Sequence, residues 1–169
     1  PHWRQDALQP VVEALTSAMD VPLSWDLTAQ DAGRFSGAYT GQSGLPLEPD
    51  RLRYLTGSAL ASCTARDLEG EIPLYDWEKA QGRDPYEFFL SGASPIQVLE
   101  NPAALSDREL VVFRDSFGSS LAPLLAGSYR KITLIDLRYI SSDLLESYVR
   151  FQEQDVLFLY SALIWNQSG

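Results

Sequence analysis

Three short apolar runs separated by helix-compatible stretches predict an α/β fold with parallel strands in the last third of the chain. The runs are Leu110-Val111-Val112-Phe113, Ile132-Thr133-Leu134-Ile135 and Val156-Leu157-Phe158-Leu159-Tyr160. Strands buried on both faces read as near-continuous apolar stretches, and alternation with helices implies βαβ units with right-handed crossovers. The helices are expected over 119–125 and 142–152, the second with Leu144, Leu145, Tyr148, Val149 and Phe151 on its apolar face. With 169 residues and 45% apolar content, the chain can bury the core of one domain.

The elements before this βαβαβ core (101–169) differ in texture. Residues 1–20 hold an amphipathic helix in which Leu8, Val11, Val12, Leu15 and Met19 recur at spacings of three and four, with Pro10 tolerated near its first turns. Residues 21–100 are punctuated by Gly and Pro and read as a loop-rich, β-containing insertion. Strands are expected around 54–64 and 72–77, joined by a turn at Glu69-Gly70, with a short helix or turn over 85–90.

Charge and composition exclude several function classes. Thirteen basic residues against 23 acidic ones give a net charge of −10, and the arginines are scattered among acids. Neither nucleic acid nor an anionic membrane surface is therefore expected as a partner. No run approaches the ~18 apolar residues of a membrane helix, so no direct insertion by this segment is expected. One cysteine, Cys63, excludes an internal disulfide and a multi-cysteine zinc site; it reads as a small buried hydrophobe. Asp20, Asp26 and Asp31 lack the spacing of a hard-metal site, and no metal is expected. The chain does not begin with Met, and the expectation is a fragment whose upstream part is missing.

In parallel sheets, chemistry sits where strands end and helices begin. Asp115, Ser116 and Gly118 follow the first run, Asp136, Arg138 and Tyr139 the second, and Ser161 to Asn166 the third. A serine at such a turn presents its hydroxyl near helix N-terminal amides that can hold an oxyanion, and Gly118 permits close approach. The alternative is that Asp115 or Ser116 simply caps the following helix. A nucleophilic serine needs a base, and His2 is the single histidine of the chain. Asp136 and Arg138 either pair to fix their loop or leave Arg138, with Tyr139, to hold an anionic or sugar group. Trp3, Trp25, Trp77 and Trp165 are read as core more than as sugar-stacking platforms.

Six ordered motifs carry a resemblance that covers nearly the whole chain. They are His2-Trp3, Gly33-Arg34-Phe35-Ser36-Gly37-Ala38-Tyr39, Tyr86-Glu87-Phe88-Phe89-Leu90, Val112-Phe113-Arg114-Asp115-Ser116-Phe117-Gly118-Ser119-Ser120, Asp136-Leu137-Arg138-Tyr139 and the 156–160 run. In this order they resemble the DHHW family of bacterial, mostly envelope-associated proteins, similar to SGNH hydrolases and to the acetyltransferases that decorate alginate.

The resemblance implies a three-layer, flavodoxin-like SGNH fold with a parallel sheet, and an extracytoplasmic location. It implies Ser116 as nucleophile and His2 as base, with the orienting aspartate falling immediately before residue 1. Asp115 and Gly118 would support the oxyanion turn, and Arg114 stands where the family pattern has glycine. Arg138, Tyr139 and Asn166 are candidate substrate-binding residues by their positions after the strands, and the Asn motif of the SGNH pattern is not found. The implied reaction is cofactor-free O-acetyl transfer or O-acetyl ester hydrolysis, with a polysaccharide or other acetylated carbohydrate as partner. The competing expectation is an envelope binding or assembly protein that keeps the body and lacks turnover.

Overall fold

The computed structural model describes residues 2–23, 25–35 and 48–165, without the side chains of Leu163 and Trp165. The parallel part of its sheet is built around a strand, β6 (Glu109–Arg114), in which Leu110, Val111, Val112 and Arg114 are buried. β7 (Lys131–Ile135) and β8 (Asp155–Leu159) flank it, both parallel to it. Helix α3 (Phe117–Leu125) connects β6 to β7, and eight of its nine residues are buried. The chain therefore returns to the same end of the sheet after each strand, as the apolar runs predict.

The expectation of a parallel sheet, with 21–100 as an insertion, is corrected on the other side. β3 (Thr64–Arg66), β4 (Glu71–Ile72) and β5 (Ile96–Glu100) extend the sheet in the order β4-β3-β5-β7-β6-β8, and every pairing among β4, β3, β5 and β7 is antiparallel. The sheet is mixed. Residues 21–100 thus contribute three of its six strands. The remaining two strands, β1 (Thr28–Phe35) and β2 (Asp50–Thr56), form a separate antiparallel pair. The β3–β4 turn uses Gly70 at φ 152°, a conformation that glycine alone adopts without strain. A single-turn helix, α2 (Ser58–Ala61), leads from β2 into β3.

The expected helix over 142–152 is also corrected. Residues Ser142–Ser147 form 3₁₀ turns, and only Leu145 and Val149 of the anticipated apolar face are buried. Leu144, Tyr148 and Phe151 are about half exposed, because only one row of side chains meets the sheet here.

Near the start, a 3₁₀ turn (Gln5–Ala7) precedes α1 (Gln9–Ala18), with Pro10 in its first turn, where a missing N–H costs nothing. Leu8 and Val12 enter the main core together with Leu121, Leu125, Ile132 and Leu134. This packs α1 against α3. A second core, Tyr86, Phe88, Phe89 and Leu52, joins the β1–β2 pair to a 3₁₀ segment, Pro85–Phe88.

Two predicted side-chain fates follow. Cys63 is half-buried against the main core, and burial pushes its thiol up to about 12. Trp3 and Trp25 pack partly buried against that core, whereas Trp77 is half exposed and edge-on to Tyr54 and Phe88.

Candidate active site

The C-terminal ends of β6 and β7 open into a cleft of about 260 Å³ lined by His2, Asp84, Tyr86, Glu87, Gly92, Ala93, Arg114, Ser116, Ser119, Arg138 and Tyr139. Residues far apart in sequence meet there. His2 Nε2 lies 3.1 Å from Ser116 Oγ, although 114 positions separate them.

The turn after β6 divides its labour between two neighbours. Asp115 Oδ1 accepts from the Phe117 amide at 2.9 Å and Oδ2 from the Ser161 amide at 2.8 Å, so Asp115 caps α3 and ties β8 to it. Ser116 makes no side-chain cap bond. Its hydroxyl is therefore left to the imidazole. Three amides near Gly118 already have acceptors. Phe117 donates to Asp115 Oδ1, Gly118 to the Asp115 carbonyl and Ser119 to the Ser116 carbonyl. Among the described residues, the Ser116 amide is the donor left at this turn.

Gly118 is needed for packing. A Cβ built there would sit 2.8–3.0 Å from the Cβ, Cγ and Cδ of Arg114, closer than atoms tolerate. Gly118→Ala is expected to destabilise the protein by about 1–3 kcal/mol through overpacking, and Gly118→Ala with Arg114→Gly by less than the single substitutions sum to. Urea melts of the four proteins check this.

His2 is held from several directions. Its ring stacks on Tyr86 at 3.8 Å between centroids and 17° between planes. Tyr86 Oη donates to Ser120 Oγ at 2.7 Å, which anchors the stacking ring to α3, and burial pushes the phenol well above its ordinary value. Trp3 meets Phe117 edge-on at 4.7 Å. Gln5 is fully buried: Nε2 donates to the Ser120 carbonyl at 2.8 Å, and Oε1 accepts from the Leu55 amide at 2.7 Å and Tyr75 Oη at 3.2 Å. The base-bearing segment is thereby bonded to both α3 and β2. Burial lowers the His2 pKa, with Asp84 opposing, so the imidazole stays neutral and proton-accepting near pH 7.

Arg138 and Asp136 pair at 2.8 and 2.6 Å in a bidentate contact, and Asp136 is fully buried. The loop-fixing expectation describes this geometry, while Arg138 still lines the cleft with Tyr139, whose ring lies 5.5 Å beneath the guanidinium carbon. Asn166 lies outside the described residues, as do 36–39 of the Gly33–Tyr39 motif. Among the described residues, no group of three or more His, Cys, Asp or Glu side chains is placed to hold a metal ion, and no helix is long and apolar enough to cross a membrane.

Sequence reasoning missed the site roles of Gln5, Asp84 and Tyr86. Asp84 carried a signal: followed by Pro85, it is a natural cap, and its carboxylate accepts from the Tyr86 amide at 3.1 Å. Gln5 carried none, because its three partners are 50 to 115 positions away.

No family model matches the chain, and no curated protein matches it. Solved structures do. PatB1 of Bacillus cereus with a sulfonyl adduct is 23% identical, with a TM-score of 0.66 over 95% of this chain and 58% of that one. A second PatB1 structure is 20% identical, with a TM-score of 0.65 over 95% and 60%. A DHHW family protein from Eubacterium siraeum is 21% identical, with a TM-score of 0.69 over 94% of this chain and 56% of that one. The chain thus spans under two thirds of the length of these structures. It has the fold of a DHHW family protein.

Proposed function

We propose that the chain is the serine-dependent part of a DHHW family O-acetyltransferase or O-acetylesterase acting on a bacterial envelope polysaccharide. The observation that carries this reading is the 3.1 Å approach of His2 Nε2 to Ser116 Oγ inside a cleft at the strand ends. That is within the reach proton transfer requires. The fold likeness supports an SGNH-like body for this reading, in which residues 21–100 supply three strands of the main sheet. The reading further places the protein outside the cytoplasm and takes the aspartate that orients His2 from an upstream segment.

The chemistry follows from the residues. With its proton on Nδ1, His2 accepts the Ser116 hydroxyl proton at Nε2 as Oγ bonds to the acetyl carbonyl carbon. The Ser116 amide donates to the oxygen that gains the charge. Collapse of the tetrahedral adduct breaks the ester C–O bond, and the imidazolium returns its proton to the departing sugar oxygen. Water or another sugar hydroxyl then repeats the sequence on the acetyl-serine, with His2 again accepting a proton. No cofactor enters.

The test is covalent labelling of the full-length protein by methanesulfonyl fluoride, a choice supported by the sulfonyl adduct in one PatB1 structure. One sulfonyl group per chain is expected on Ser116, with none on Ser116→Ala and a parallel loss of p-nitrophenyl acetate hydrolysis. Equal labelling of both proteins would overturn the reading. The second reading, a binding or assembly protein without turnover, draws on Arg114 in place of glycine and on the single uncommitted amide at the turn. It predicts carbohydrate binding with no Ser116-dependent labelling.

A further inference from the structure

Arg114 is fully buried beneath the turn that carries Ser116, yet its guanidinium is not there for one ion pair. Nη1 donates to Ser119 Oγ at 3.0 Å and to the Asp115 carbonyl at 3.3 Å, and stands 4.0 Å from Asp136 Oδ2, which Arg138 already holds. Nη2 donates to Gln97 Oε1 at 2.5 Å, while Nε is buried without a partner among the described residues. Burying a cation is costly, and desolvation lowers the Arg114 pKa here. An apolar side chain would fill the space more cheaply.

Gln97, buried on β5, continues the connection. Its Nε2 donates to the carbonyls of Leu90 at 2.7 Å and Gly92 at 3.3 Å. These two carbonyls belong to the first and last of three successive residues with positive φ, Leu90 and Ser91 at 56° and Gly92 at 93°. Leu90 and Ser91 are strained there, and such conformations persist only where the surroundings over-determine them. Ser91 Oγ donating to Asp76 Oδ2 at 2.6 Å and the Leu90 amide donating to the Leu74 carbonyl at 3.1 Å supply further restraint. Gly92 and Ala93, held by this arrangement, form part of the cleft wall. One hydrogen-bonded path therefore runs from the Ser116 turn through Arg114 and Gln97 to that wall.

We propose that Arg114 and Gln97 are positioning residues that fix the gap between Ser116 and the Gly92–Ala93 wall and so restrict the site to small acyl groups. The inference rests on the reading of Ser116 as nucleophile. Small residues at the wall leave room for an acetyl group, and the strained backbone cannot retreat to admit a bulky one while Gln97 holds both carbonyls.

The test compares labelling rates of the full-length protein with methanesulfonyl and phenylmethanesulfonyl fluoride. Gln97→Glu keeps an acceptor for Arg114 but loses the two donors to the wall. It is expected to narrow the preference for the smaller reagent at least tenfold relative to wild type, as is Gln97→Ala. Arg114→Lys, which keeps charge and most of the stem but not the fork, is expected to slow the smaller reagent at least tenfold and to narrow the preference likewise. A general loss of stability would slow both reagents alike, leaving their ratio unchanged, and that result would overturn the proposal. Should Gln97→Ala not fold, the Gln97→Glu and Arg114→Lys ratios decide. A wild-type protein that reacts with neither reagent would remove the Ser116 reading itself, an outcome distinct from an unchanged ratio.

Discussion

Replacing His2 by alanine is expected to slow sulfonyl labelling of Ser116 by about 10²–10⁴-fold, the usual contribution of a positioned general base. The imidazole is the one basic side chain of the described site that touches the hydroxyl. In wild type the rate should rise with pH to a plateau, with a midpoint below 6.5 because burial lowers the His2 pKa. The same shift has a sign for folding. The unfolded chain, with the ordinary histidine value, binds a proton between 6.5 and the folded value, where the native state does not. Stability is therefore lost as pH falls through that window, and His2→Gln should remove this part of the dependence. Labelling rates and urea melts between pH 5 and 8 check both statements.

Gln5→Leu carries the second large effect. It preserves volume but leaves the Leu55 amide and the Ser120 carbonyl without the partner each has on Gln5, in a fully buried position. At about 1–3 kcal/mol for each orphaned group, the expected cost is roughly 2–6 kcal/mol. Tyr75 Oη suffers less, since it also donates to the Leu55 carbonyl at 2.6 Å. Chemical denaturation measures the loss, and Gln5→Glu, which keeps an acceptor but no donor, should restore only part of it.

How much of this was legible depended on whether a signal was local. The runs that became β6 and β7 were readable because both strands are buried on both faces. β5 was not, because Gln97 interrupts its apolar run and is there for a bond to Arg114, seventeen positions away. β1 was missed because most of its residues are exposed and no core face marks a period. The region 142–152 displays helical spacing, but only Leu145 and Val149 find the sheet, so tight 3₁₀ turns replace the continuous helix.

At the site, the strand-end rule located Ser116, and the question of which residue caps α3 resolved in favour of Asp115. The pairing of Ser116 with His2 came from ordered motifs and from there being one histidine, since no spacing rule spans 114 positions. Arg114 was legible only as a departure from a glycine. Its path to the cleft wall exists only in three dimensions.

The imidazole reaches its partner because the short segment around His2 is pinned from outside the sheet, chiefly through Gln5 and the ring of Tyr86. Such a strap can lift while the strands stay paired, since stability varies locally within one molecule. On gentle warming, chemical reactivity at Ser116 should then fade some degrees before the far-ultraviolet signal of the strands does. The serine would act as a thermometer for a single strap, reporting a loosening that bulk melting curves average away.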